Sequence, residues 1–293
     1  MNKAVFLGVN AFGDTLCTTP VIRAFRRANP DTAIIYVTQA APFCRVLDGN
    51  PDIDLLLYSE RLYLNGIPED TATWLGMLPL DLREQATLYR LDLKLACTRE
   101  EHFKEHISKS FARLIGIETD SVKPFVVLND LERRAARLFA QRPYVVLSTH
   151  SVSNPDRPDG RGKRKDWPVE RWQMLARRLA GLGSLDVYQI GSERDEPPQI
   201  DAARRLYGLP IKVVAALLEN AACVVTVENG VAHLCAAVNA PTITIYSNLM
   251  PIEWAYPAES HRSRVLYGDP FDLSCDEVAS AVEEVLSADA VLT

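Results

Sequence analysis

Short β-branched, apolar runs alternate along the chain with segments whose apolar residues recur at helical spacing, and this alternation starts twice. The first series predicts strands at residues 4–9, 33–37 and 53–58, with a helix up to residue 28 and a short helix at 43–47 between them. Strands that alternate with helices in this way favour a parallel, doubly wound sheet.

A second series begins with a predicted strand at 144–148, after a less regular stretch that contains predicted helices at 102–115 and 130–139. It continues with strands at 185–190, 223–227 and 242–246 and with helices at 169–182, 200–206, 213–220, 231–238 and 275–286. A chain of 293 residues is long enough for two cores. We therefore predict two Rossmann-like domains, residues 1–135 and 136–293, with the cleft between them as the default ligand site.

Composition excludes some partners. The 32 Lys and Arg residues against 38 Asp and Glu residues give a net charge of -6, which argues against a surface built to hold nucleic acid. The six cysteines show no C-x-x-C pair, which favours free thiols in a reducing compartment.

The first apolar run is too short for a signal peptide, and no stretch approaches the roughly 18 apolar residues of a membrane span. We expect a cytoplasmic protein whose contact with the inner membrane, if it has one, is peripheral.

The turn after the first strand carries Gly13 and Asp14 at the start of a helix. Ligands of doubly wound sheets gather at such carboxyl ends of strands, so Asp14 is a candidate general base. Aspartate is also a favoured helix cap, and spacing alone favours the cap. The absence of G-x-G-x-x-G after this strand argues against a nicotinamide dinucleotide site.

A second candidate site follows the β-branched strand at 223–227. Its residues are Glu228, Asn229, Gly230, Val231, Ala232 and His233. Free N–H groups at the start of the following helix, together with the helix dipole, would suit a pyrophosphate. The alternative is an ordinary Asn-Gly turn with the histidine packed in the core.

Charged residues elsewhere offer two further contacts. Lys165 ends a basic loop with Arg157, Arg161, Lys163 and Arg164, whose cations would neutralise a leaving diphosphate or simply face solvent. Glu193 and Glu196 follow the predicted strand at 185–190. Their carboxylates would hold ribose hydroxyls or serve as first-turn acids of the next helix.

Taken in order, several short motifs resemble those of the family 9 glycosyltransferases, the ADP-heptose:lipopolysaccharide heptosyltransferases and their relatives. The motifs are Gly13-Asp14, Thr18-Thr19-Pro20, Arg23-Ala24, Asn29-Pro30, Gly49-Asn50-Pro51, Lys165-Asp166-Trp167-Pro168, Gly191-Ser192-Glu193 and Gly230-Val231-Ala232-His233-Leu234. The resemblance implies a GT-B fold, in which two Rossmann-like domains face a central cleft. It also implies transfer of heptose from ADP-heptose to a growing glycolipid, with inversion.

Residue by residue, the resemblance implies Asp14 as the general base and Lys165 as a phosphate contact. It places Glu193 or Glu196 near the donor ribose, and Gly230, Val231, Ala232 and His233 around the diphosphate. It implies no metal and no cofactor besides the ADP-sugar substrate, because the lysine and the helix N-terminus supply the positive field.

The chain departs from the family pattern at Glu228-Asn229, where the family usually has Asp followed by Ser or Thr. We expect an inverting glycosyltransferase that uses a nucleotide-sugar donor, with lipopolysaccharide biosynthesis as its setting and a cell-envelope glycan or glycolipid as acceptor. Two alternatives stay open. One is a protein of the same fold that binds nucleotide sugars without transferring them, and the other is a nucleotide-sugar epimerase or hydrolase.

Overall fold

The computed structural model divides into two compact units, Met1–Val127 and Leu128–Thr293. It describes residues 2–8, 10–59, 76, 79, 86–98, 100–152, 154–192, 197–256 and 263–290. Each unit contains one parallel sheet with its own helices, as a Rossmann-like domain requires.

The N-terminal unit has a four-stranded sheet in the order β3-β2-β1-β4, with all neighbours parallel. Its described strands are β1 Lys3–Gly8, β2 Ala33–Gln39, β3 Leu55–Ser59 and β4 Ala86–Arg90. Its described helices are α1 Phe12–Cys17, α2 Thr19–Ala28, α3 Leu93–Ala96 and α4 Ile107–Leu114, with 3-10 turns at Pro42–Leu47 and Glu100–Lys104.

The core of this unit lies on both faces of β1 and β2, which explains why these two strands are almost continuously apolar. On one face the rings of Phe6 and Phe25 meet edge to face, 4.9 Å apart. Tyr36 is fully buried, and its hydroxyl lies 3.0 Å from the Thr18 hydroxyl. Burial raises the pKa of Tyr36 well above its ordinary value.

The C-terminal unit has a six-stranded parallel sheet in the order β10-β9-β8-β5-β6-β7. Its described strands are β5 Tyr144–Ser148, β6 Asp186–Gly191, β7 Arg204–Tyr207, β8 Cys223–Val227, β9 Thr242–Ser247 and β10 Ser263–Gly268. Its described helices are α5 Asp130–Phe139, α6 Val169–Gly181, α7 Ile211–Glu219, α8 Gly230–Val238 and α9 Cys275–Ala290, with a 3-10 turn at Ile252–Trp254. The strand order reverses between β5 and β8, and such reversals are where doubly wound sheets bind ligands.

The helices of this unit pack in two groups, α9 against α6 and both α5 and α8 against α7. Trp167 and Trp172 meet edge to face, 4.8 Å apart, at the start of α6. The Trp167 ring nitrogen donates to the Leu273 carbonyl, 2.9 Å away, so this buried polar atom is satisfied.

The predicted helix at 200–206 is wrong, because residues 204–207 form the edge strand β7, which pairs with β6. In this strand Leu206 points inward and Arg205 outward, so backbone pairing with a distant strand overrides the local apolar spacing. The predicted helix at 102–115 is interrupted at His106. The backbone of His106 is extended, and its ring nitrogen caps α4 by accepting from the Ser108 amide. Strands β4 and β10 were not predicted.

All six cysteines lie among the described residues, and no disulfide joins any of them. Within the described part of the chain, none of the helices has the length and hydrophobicity needed to cross a bilayer.

Candidate active site

Asn229 joins the two strands at the strand reversal of the C-terminal unit. It is the N-cap of α8, and its side-chain oxygen accepts from the amides of Val231 at 2.8 Å and Ala232 at 3.3 Å. Its side-chain nitrogen donates to the Ser148 hydroxyl at 3.0 Å and to the His150 carbonyl at 2.7 Å. One buried carboxamide therefore caps the helix and ties the end of β5 to the end of β8.

This arrangement leaves fewer free N–H groups for a pyrophosphate than the sequence predicts at the second candidate site. The prediction of free N–H groups is wrong for Val231 and Ala232, because both donate to the Asn229 side chain. Among the described residues, none accepts a hydrogen bond from the Gly230 amide. The positive end of the α8 dipole is also still available to an anion. A hydroxyl at position 229 could also cap the helix, but it lacks the second donor that the carboxamide uses. The Asn229 carboxamide therefore has a structural role.

Lys165 and Glu228 form an ion pair beside this helix start. The Lys165 Nζ lies 2.5 Å from a carboxylate oxygen of Glu228, and the two side chains are only 8% and 13% exposed. The Lys165 backbone is held in place by Asn154, whose side-chain oxygen accepts from the Lys165 amide at 2.9 Å. The Asn154 nitrogen in turn donates to Asp166 at 2.7 Å. The structure thus brings together two predicted site residues that lie far apart in sequence.

His233 lies one turn into α8 and is buried. Its Nδ1 is 2.7 Å from the Tyr256 hydroxyl, and the two rings meet edge to face. This geometry fits the core alternative considered for His233. A contact between His233 and a diphosphate stays a prediction.

One cation of the basic loop before Lys165, Arg157, is neither exposed to solvent nor accessible to an anion. This guanidinium is almost fully buried, where it donates to Asp269 at 2.5 and 2.8 Å and to Asp159 at 2.9 Å. It also stacks over the Phe271 ring. The hydrogen bonds from Arg157 and Arg161 hold the pKa of the Asp159 carboxyl well below its ordinary value. Arg157 therefore anchors the loop to the segment after β10.

The residues predicted to hold the ribose, Glu193 and Glu196, lie outside the described residues, so that contact stays a prediction. The groups of His, Cys, Asp and Glu side chains within the described ranges include none arranged to hold a metal ion.

In the N-terminal unit, Asp14 lies in the first turn of α1 and is partly exposed, while Gly13 beside it is buried. The N-cap of α1 is Ala11, which has no side-chain cap bond, so the interpretation of Asp14 as the cap is wrong. Burial, followed by the charges of Asp14 and Asp92, raises the pKa of the Cys97 thiol. Asp14 is therefore close to the segment that follows β4.

Asn10 plays in this unit the part that Asn229 plays in the other. Its side-chain nitrogen donates to the Leu91 carbonyl at 2.7 Å, and its side-chain oxygen accepts from the Leu93 amide at 3.1 Å. The strand order of this sheet also reverses here, between β1 and β4. The sequence places Asn10 in the candidate turn but gives it no role of its own, although both units share an asparagine two residues after a strand end.

Comparisons with known proteins fit this architecture. The family described as glycosyltransferase family 9 (heptosyltransferase) matches residues 81–270. A search of curated proteins finds no match. Among solved structures, the glycosyl transferase family 9 protein from Veillonella parvula DSM 2008 is 16% identical, with a TM-score of 0.76 and 98% of each chain covered.

Two structures from E. coli are also similar. ADP-heptose lps heptosyltransferase II is 17% identical, with a TM-score of 0.72, and the match covers 98% of this chain and 99% of that one. Heptosyltransferase WaaC with ADP-2-deoxy-2-fluoro heptose is 17% identical, with a TM-score of 0.61 and coverage of 96% and 99%. At these identities the likeness shows the fold, and the family match covers more than half of the chain. The chain therefore belongs to glycosyltransferase family 9 and is a glycosyltransferase with a GT-B fold of two Rossmann-like domains.

Proposed function

We propose that the protein transfers heptose from ADP-heptose to a cell-envelope glycan or glycolipid, with inversion at the anomeric carbon. The observation that carries the donor half of this proposal is the position of Lys165, whose ammonium group lies at the start of α8 beside Glu228, at the reversal of the sheet. A buried cation next to a helix N-terminus suits a diphosphate. The ADP-sugar in the WaaC structure makes ADP-heptose the first donor to test.

In the proposed reaction, an acceptor hydroxyl attacks the anomeric carbon while Asp14 takes its proton. The bond from that carbon to the diphosphate oxygen breaks, and ADP leaves with the electron pair. Lys165 and the α8 dipole stabilise the charge that develops on the leaving group. One displacement inverts the configuration. This scheme uses no metal ion and no cofactor, because the lysine and the helix end supply the positive field.

The position of Asp14 supports its role as base. Its side chain is partly exposed, and it lies in the first turn of α1, one turn from the end of β1. A general base must be reachable by the hydroxyl that it deprotonates.

The proposed setting is lipopolysaccharide biosynthesis at the cytoplasmic face of the inner membrane.

A second candidate function is that of a protein that binds nucleotide sugars without transferring them. The ion pair favours this candidate, because Glu228 neutralises the cation that would otherwise stabilise the charge developing on the leaving diphosphate.

The experiment that tests the proposal measures free nucleotide and product mass for ADP-, UDP- and GDP-sugars, each with and without extracted cell-envelope glycan. We expect ADP release from ADP-heptose only when the glycan is present, with a matching mass increase of the glycan. Release without glycan would indicate a hydrolase or epimerase. Donor binding in a thermal-shift assay, without release under any condition, would support the binding protein instead.

A further inference from the structure

The loop at residues 154–166 lies between strand β5 and helix α6 and carries Lys165 near its end. Its residues are proline, glycine, asparagine and charged types, and none has an aliphatic or aromatic side chain that could pack in a core. Ordering such a loop loses conformational entropy that burial of apolar groups does not offset. The polar contacts of the loop must therefore hold Lys165 in its place.

The backbone of this loop doubles back on itself as a short hairpin. The Arg157 amide donates to the Gly162 carbonyl at 2.9 Å, and the Arg164 amide donates to the Pro155 carbonyl at 2.9 Å. An isolated antiparallel bridge lies between these two hydrogen bonds. The hairpin closes directly before Lys165, so the position of the hairpin decides where the lysine begins.

The segment that follows β10 holds the loop at two points. Near the tip of the hairpin, Arg157 donates to both carboxylate oxygens of Asp269, at 2.8 and 2.5 Å. Just after the loop, the Trp167 ring nitrogen donates to the Leu273 carbonyl at 2.9 Å. Lys165 lies between these two anchors in the sequence. The chain is therefore tied to the same segment on both sides of the lysine.

The charge of Arg157 is buried between carboxylates. Its side chain is 3% exposed, and it also donates to Asp159 at 2.9 Å. Buried ion pairs are often no more stabilising than apolar residues of the same volume, and their best-attested use is to specify one arrangement of the chain. The planar guanidinium reaches two carboxylates at once, which a lysine ammonium group does not do in the same geometry. Arg157 thus specifies one arrangement of a loop that has no apolar contacts of its own.

We propose that Arg157 is a positioning residue of the donor site, which sets the place of the Lys165 ammonium group by tying the loop to Asp269. Arg157 itself contacts carboxylates and does not contact the donor. The inference rests on the proposed function, in which Lys165 contacts the diphosphate. Loss of the bonds between Arg157 and Asp269 should therefore weaken binding of ADP and leave binding of adenosine, which has no phosphate, unchanged.

Isothermal titration calorimetry of the full chain with ADP and with adenosine tests this role. The variants are Arg157→Lys, Lys165→Met and the double variant. Arg157→Lys should weaken ADP binding about tenfold, because a lysine that is no longer held must be ordered again when the diphosphate binds. In the Lys165→Met background the same substitution should have no further effect, because the group that Arg157 positions is gone. A purely structural role would weaken adenosine binding as well and would persist in that background.

Asp269→Asn breaks the same contact from the other side and leaves Arg157 paired with Asp159. It should weaken ADP binding about fivefold, because a hydrogen bond to a neutral amide is weaker than one to a carboxylate. It also carries the test if Arg157→Lys does not fold in a thermal melt. Arg178→Lys is the matched control, because Arg178 also pairs with two carboxylates of the same unit, those of Asp276 and Glu283. It lies farther along α6 and should leave the affinity for ADP unchanged.

Two results separate this inference from the proposed function on which it rests. An unchanged ADP affinity in Arg157→Lys and Asp269→Asn, beside a weakened affinity in Lys165→Met, would overturn the inference alone. An unchanged ADP affinity in Lys165→Met would overturn the proposed donor contact and the inference together. Equal losses for ADP and adenosine, or an effect of Arg157→Lys that persists without Lys165, would also overturn the positioning role.

Discussion

Replacing Glu228 by glutamine should strengthen ADP binding while weakening the fold. The Glu228 carboxylate neutralises Lys165 at 2.5 Å in a nearly buried site. If Lys165 is a diphosphate contact, the phosphate oxygens must compete with this carboxylate for the ammonium group. The glutamine variant keeps a polar side chain of the same shape beside the lysine but removes the competing negative charge.

The magnitude follows from the burial of the pair. Two unit charges about 4 Å apart attract by about 4 kcal/mol at an effective dielectric constant of about 20. Removing one partner of a buried pair typically destabilises a protein by about 3–5 kcal/mol. Because glutamine keeps a polar oxygen beside the ammonium group, we expect Glu228→Gln to lower the free energy of unfolding by less than this, about 2 kcal/mol. A bound diphosphate would restore most of that loss, which corresponds to ADP binding that is tighter by about tenfold or more.

Isothermal titration calorimetry with ADP and with adenosine measures the effect, and a thermal melt reports the stability. The wild type, Glu228→Gln, Lys165→Met and the double variant form a cycle. Glu228→Gln should tighten ADP binding only when Lys165 is present, and adenosine binding should not change. Glu219→Gln is the matched control, because it removes the charge from another ion pair of the same unit, with Arg133. It should lower stability without changing the affinity for ADP.

An ADP affinity that is unchanged or weaker in Glu228→Gln would refute this reasoning. An unchanged affinity in Lys165→Met would show that Lys165 does not contact the diphosphate.

Three further predictions concern stability. An added Cβ in Gly8→Ala would overlap the buried hydroxyl of Tyr36, so unfolding in urea should show a loss of about 3 kcal/mol, partly recovered by adding Tyr36→Phe. Burial lowers the pKa of His106 from 6.5 to about 4, so the folded protein keeps it neutral where the unfolded chain is protonated. Stability should therefore fall by about 3 kcal/mol as pH drops from 6.5 to 4, and His106→Asn should reduce this dependence. Asn229→Ala removes a helix cap and two further hydrogen bonds and should destabilise by about 3 kcal/mol, against about 1 kcal/mol for the exposed cap variant Asn129→Ala. Equal losses in the two asparagine variants would contradict the bridging role of Asn229.

The sequence predicts the central strands of each sheet and their helices well, because the apolar residues of each segment follow a single period. The strands β5 and β8 and helix α5 begin and end where their apolar patterns predict. The edge strand β7 does not, since its four residues gain their structure from pairing with β6 rather than from a local pattern. The edge strands β4 and β10 were missed entirely.

The candidate site shows the same limit. Asp14, Lys165 and Asn229 could be named from the turns in which they lie. The contact of Lys165 with Glu228, and the bonds from Asn229 to Ser148 and His150, join segments far apart in sequence, and a single sequence holds no local signal for them. Arg157 shows the converse error, because a run of charges predicts solvation and the structure pairs Arg157 with Asp269.

The central claim, that the protein is a transferase with Asp14 as its base, is tested most directly by Asp14→Asn. The measurement is glycan-dependent ADP release from ADP-heptose, with the dissociation constant of ADP determined in parallel. We predict a fall in turnover of about 10²- to 10⁴-fold with ADP affinity unchanged, because a base acts in the transition state. Asp92→Asn is the control, since Asp92 pairs with Arg90 and asparagine can still cap α3, and its turnover should stay near that of the wild type. Full turnover in Asp14→Asn would contradict the claim.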